Sequence, residues 1–237
     1  MTGRPLPPSS PFGADDGSAP AAVLAALTAA TEGEGRAGVA AVVAALLDAR
    51  VLAPVVARLD EAEIDAAGHT VEKVAHMATV TVTAPDGRRG VPVFTSLAAL
   101  AQWDPDARPF PLRAVDAARG VFDEDCDALL VDPASPHRVA LTGSLLLALA
   151  EGRPWLPPST DPVVAAAVAE AVEGLPGLVG VSLGPADDAD LLVTVVPERS
   201  ADGLEVAQAV AARLADVRVL RARLDRGLDL AVADRSP

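Results

Sequence analysis

Aromatic side chains are nearly missing from this sequence: two Trp, four Phe and no Tyr among 237 residues. Hydrophobic residues make up 51%, so cores can form, but they must be assembled from Ala, Val and Leu and rest on many small contacts. Cysteine is scarcer still. A lone Cys126 excludes an intramolecular disulfide and a multi-cysteine zinc site, and the flanking Asp125 and Asp127 disfavour a thiolate. Lysine occurs once, as Lys73, and every other basic residue is Arg. With a net charge of −14 and no basic block, the chain is repelled by phosphate backbones and anionic lipid, which argues against nucleic-acid and membrane partners. Long apolar runs are lacking too: those at 37–47 and 141–150 reach about half the length of a membrane span. No charged region followed by an apolar core opens the chain, so no signal peptide is read and a cytoplasmic location is expected.

What is present centres on the stretch Met77–Trp103. Ala78 to Thr83 alternates apolar and hydroxyl side chains, the period of a half-buried strand. Pro85-Asp86-Gly87-Arg88-Arg89-Gly90 supplies turn chemistry, Val91 to Thr95 a second strand, and Ser96 an N-cap for a short helix, Leu97 to Trp103. The run from Lys73 to Leu112 resembles the SseB family. So do Cys126 to Pro133 and Glu151 to Pro157. The chain is thereby identified as similar to an actinobacterial-type member, with the resemblance extending over about residues 36–156. It implies an N-terminal domain and a smaller C-terminal domain, and it carries over no catalytic residue.

Around this centre the spacing predicts a mixed α+β chain. Residues 1–20, rich in Pro and Gly, are read as a disordered tail. An N-terminal α/β domain follows over 21–153, then a Pro-rich linker over 154–162 and a C-terminal domain over 163–237. In the first domain a helix is expected over 38–50. A strand follows over 51–59, held at an edge or bulge by Pro54, which has no N–H. Residues 60–67 read as a loop and 68–73 as disordered. A helix at 115–122 should turn Ala118 and Phe122 inward, and Phe94 is also read as core. In the last domain Asp161-Pro162 starts a helix with Val164, Val168 and Val172 buried. Val206, Val210 and Leu214 mark a second helix. The segments 217–224 and 228–232 read as a closing hairpin, giving an α-β-β-α-β-β antiparallel sandwich.

Candidate chemistry is sparse. No Gly-rich loop follows a strand, which leaves nucleotide binding without a motif. The acidic group Asp123, Glu124, Asp125, Asp127 fails the calcium-loop pattern, with Ala128 and Ala134 at the sixth and twelfth positions. His69, His76 and His137 show no metal-ligand spacing. Ser96, Ser135 and Ser144 lack the context of a nucleophile elbow. No catalytic residue, metal ligand or cofactor site is therefore assigned. Arg88 and Arg89 at the hairpin tip could grip a carboxylate or phosphate. Arg221 and Arg223, two apart on a presumed strand, share a face with Asp225. Trp103 and Trp155 read as lids on the Ala/Val core. Arg88, Arg89, Trp103, Arg113, Arg221 and Arg223 are the candidate binding surface. The leading expectation is a non-catalytic module that binds another protein. The rival is a binder of an amino acid or anion, or an enzyme, using an interdomain cleft with Arg88, Arg113 or Trp103 in it. A homo-oligomer formed through a sheet edge is the third reading.

Overall fold

The computed structural model describes residues 15–33, 35–55 and 80–233. The strand end at 56–59, the segments 60–67 and 68–73, Ala78 and Thr79 of the presumed strand, and residues 1–14 of the presumed tail lie outside them. The chain divides into two units, Met1–Leu141 and Thr142–Pro237. It is α+β throughout.

The first unit opens with two helices, α1 (Ala21–Thr31) and α2 (Gly35–Leu46). Their apolar stripes bury Val23 and Leu27 on one and Val42, Val43 and Leu46 on the other. Next come β1 (Arg50–Val55), β2 (Val82–Thr83), β3 (Arg89–Val93), α3 (Leu97–Trp103), β4 (Arg108–Arg113), α4 (Ala114–Asp123), β5 (Ala128–Val131) and β6 (Val139–Thr142). Strands β1 and β4 form one antiparallel ribbon, and β2-β3-β5-β6 a second sheet in which β3 and β5 run parallel. Ser96 caps α3 as its sequence signature requires, accepting the Ala99 N–H at 3.1 Å. Phe94 is fully buried. Phe122 is not: it stands 49% exposed. The inner face of α4 is Ala114, Ala118 and Val121, at i, i+4 and i+7, and Phe122 lies about 100° further round the helix.

In the second unit, α5 (Gly143–Ala150) and α6 (Pro162–Val172) precede β7 (Leu178–Gly184) and β8 (Leu191–Pro197). Helices α7 (Gly203–Ala215) and α8 (Arg218–Arg223) and strand β9 (Leu228–Val232) complete it. The stretch 154–162 lies inside this unit. The valine stripe Val164, Val168, Val172 meets Leu191, Val193 and Val195 of β8 and Val206, Val210 and Leu214 of α7 in one core. Each fully buried Val there contributes about 1.5–3 kcal/mol.

The expected closing hairpin is not formed. Residues 218–223 are helical, and the sheet has three strands, β7-β8-β9, with β8 and β9 parallel. Val217-Arg218-Val219-Leu220 mimics a period of two, but Val217, Leu220 and Leu224 are spaced for one helical face, and all three pack on the core. A parallel β8–β9 pair needs a long crossover, which α7 and α8 supply. Arg221 and Arg223 are thus helix residues and share no strand face with Asp225.

Candidate functional site

A groove in the first unit is lined by two prolines, Pro54 and Pro92. Leu52 of β1 and Phe94 exchange both backbone hydrogen bonds, Leu52 N–H to Phe94 C=O at 2.8 Å and Phe94 N–H to Leu52 C=O at 2.9 Å. In an antiparallel ladder the next hydrogen-bonded pair lies two residues on along each strand. Two residues on along each strand stand Pro54 and Pro92, and neither has an N–H to donate. Among the described residues no further bridge continues this ladder, and a groove of about 240 Å³ lies beside Pro54 and Pro92, with Val55 and Val80 also in its lining. Ala53, Val91 and Val93 line it with Phe110 and Leu112 of β4 and Ala117 and Gly120 of α4. Among the described lining residues Asp116 alone is charged, and it bridges to Arg119 at 3.2 Å.

β4 repeats the device on its other edge. Its register sets Pro109 and Pro111 opposite Pro54 and Leu52. Leu52 bonds toward Phe94, so these are the non-bonded pairs of the ribbon, and the two prolines face away from β1. Neither edge can accept a full added strand. Phe110, between those prolines, is 47% exposed.

The residues singled out in the sequence stand elsewhere. Arg88 folds onto its own turn, its Nε donating to Asp86 at 2.7 Å. The Arg89 N–H is accepted by Asp127 at 2.7 Å. Trp103 covers a small core of Leu52, Phe94 and Leu100, its ring centroid 5.4 Å from that of Phe94. Arg113 occupies the N-cap position of α4 and is exposed. None of these four lines the groove. His137 of the first unit has its Nδ1 3.0 Å from the Thr31 hydroxyl, and His69 and His76 fall outside the described residues. Burial pushes the Cys126 thiol above its ordinary value, with Arg89 opposing.

In the second unit Arg221 donates to the Ala215 carbonyl and to Asp216. Arg223 donates to Asp161 at 2.8 Å and to Glu151 at 3.4 Å. Asp161 also caps α6 through the Val163 N–H. Buried Asp190 accepts the N–H groups of Asp225 and Arg226 at 2.6 and 2.8 Å. Asp225 in turn holds Ser144, whose hydroxyl receives the Trp155 indole N–H at 2.9 Å. These bonds fix the end of α8 and residues 224–226 against the starts of α5, α6 and β8, so this polar cluster supports the fold. Among the described residues no group of three or more His, Cys, Asp or Glu could hold a metal ion. No described helix is long and apolar enough to cross a membrane.

Fold and groove together define an α+β scaffold with a concave apolar surface that has Pro54 and Pro92 in its lining. The family model of the SseB protein N-terminal domain matches residues 23–148. That is more than half of the chain, and the chain belongs to the SseB family. No curated protein and no solved structure matches it.

Proposed function

We propose that this SseB-family chain is a non-catalytic, cytoplasmic module that binds another protein, and that apolar side chains of the partner seat in the groove between Pro54 and Pro92. The second unit we read as the C-terminal domain of the family. The observation that carries the reading is the groove itself: apolar walls, half-exposed Phe110 at its lip, and strand edges that cannot be extended by a ladder. Such a surface engages side chains and leaves the partner's backbone unpaired.

For this groove the rival, a small-molecule binder, is ranked second on size. A volume of about 240 Å³ falls short of the roughly 300–1,000 Å³ of small-ligand sites. A thermal-shift screen with amino acids and nucleotides tests the rival, because a ligand of the folded state raises the melting temperature.

The proposal is tested by co-purification from native cells with the wild type, Phe110→Asp and Phe122→Asp. Both phenylalanines are about half exposed, but only Phe110 lines the groove. A protein retained by the wild type and Phe122→Asp and lost with Phe110→Asp supports the reading. A partner lost with neither, or with both, contradicts it.

A further inference from the structure

Arg50 begins β1 and is 8% exposed, an unusual burial for an arginine. Its guanidinium is directed at a single short segment and one carbonyl. Nε and Nη2 both donate to the Asp15 carboxylate, Nη2 also donates to the Ser18 carbonyl at 2.8 Å, and Nη1 donates to the Thr95 carbonyl. Thr95 is itself fixed from β5: its N–H and hydroxyl donate to buried Asp132 at 2.8 and 2.7 Å. The socket of Arg50, Thr95 and Leu97 is therefore built by elements other than the segment it holds.

That segment, Asp15-Asp16-Gly17-Ser18, is read at three points. Arg50 takes the carboxylate in fork geometry. The Leu97 N–H donates to the Gly17 carbonyl at 2.9 Å. Gly17 has φ +78, and a Cβ there would lie 2.4 Å from Leu97 Cδ1, so no other residue fits without displacement. Asp15 and Asp16 shape the turn by accepting the N–H groups of Gly17 and Ser18 at 2.7 and 2.9 Å. Residues 15–20, which composition assigns to a disordered tail, are placed because a buried cation requires this counterion.

We propose that the Arg50 socket is a binding site for an acidic Asp-x-Gly turn, that residues 15–18 occupy it as an intramolecular ligand, and that such a turn from a partner protein exchanges into it. The inference is independent of the groove. A tethered ligand acts at an effective concentration in the millimolar range, so a free turn competes only where the tethered one is weakened or outnumbered.

The test uses the full chain carrying Asp15→Ala and Gly17→Val, and a fluorescent peptide with the sequence of residues 13–20, followed by anisotropy. The double variant should bind the peptide saturably and roughly tenfold or more tighter than the wild type does. Peptides with Asp15→Ala or Gly17→Val should not bind. Equal affinity for variant and wild type, no binding by a folded variant, or indifference to the peptide changes would overturn the proposal. Should the variant fail to fold, the wild type answers. A nitroxide-labelled 13–20 peptide in excess should broaden the Leu97 amide resonance, and its Asp15→Ala form should not. An unaffected Leu97 amide, or equal broadening by both peptides, would overturn it.

Discussion

Asp225 caps the start of α5 from 81 residues away, its two carboxylate oxygens accepting the Ser144 N–H at 2.8 Å and the Ser144 hydroxyl at 2.9 Å. The preceding Gly143 has φ +51, and a Cβ there would lie 2.1 Å from Asp225 Oδ1. Asp225→Ala should therefore cost about 0.5–2 kcal/mol, the value of a lost cap. Gly143→Ala should cost more than a helix-surface change, since it strains the backbone and displaces the carboxylate. Chemical denaturation measures both. Trp155 fluorescence should shift with either, because its indole N–H bonds the same hydroxyl.

Asp132 and Asp15 give opposite pH dependences. Burial is the main cause that raises the Asp132 carboxyl above its ordinary 3.8, its bonds from Thr95 opposing. A group with a raised folded value contributes stability below its unfolded value and loses it as the pH climbs through the folded one. Asp132→Asn should thus flatten the loss of stability above the ordinary aspartate value. It should be neutral or stabilising at pH 7, since Asn keeps an acceptor for the Thr95 N–H and tolerates the positive φ of 47°.

Asp15 runs the other way. The hydrogen bonds from Arg50 are the main cause that holds it at about 2. Its contribution is complete above the ordinary value and is lost as the pH falls through about 2. Asp15→Asn should cost about 1.5–3 kcal/mol at neutral pH, the range for a hydrogen bond to a charged group, and should remove this acid limb. Urea titrations across pH check both carboxylates.

Two residues that line the groove, Pro54 and Pro92, cannot donate, so restoring the donors should narrow it. Pro54→Val with Pro92→Val returns both N–H groups to the opposed positions. The double variant should gain about 1 kcal/mol per bond formed and show slow amide exchange at both sites. Partner binding should be lost. Fast exchange at both positions would refute this expectation.

Much of the local structure was legible in the sequence, because its causes are local. Ser96, the Asp161-Pro162 start and the valine stripe of α6 follow from spacing and capping alone. Two elements failed for identifiable reasons. Residues 217–224 carry both a strand-like and a helical period, and packing of Leu220 decides between them. Phe122 is one residue out of step with a face that Val121 fills. The groove, the Arg50 socket and the Ser144 cap were not legible. Each depends on a pairing across 35 or more residues: Leu52 with Phe94, Arg50 with Asp15, Asp225 with Ser144. Pro54 did signal an edge, but only the structure sets it in one groove with Pro92.

Hydrogen exchange of the full chain, alone and with its co-purified protein, tests the binding reading most directly. The account predicts new protection confined to Ala53, Val91, Val93 and the Asp116–Gly120 turn of α4. Protection confined to the second unit, with these amides unchanged, would contradict it.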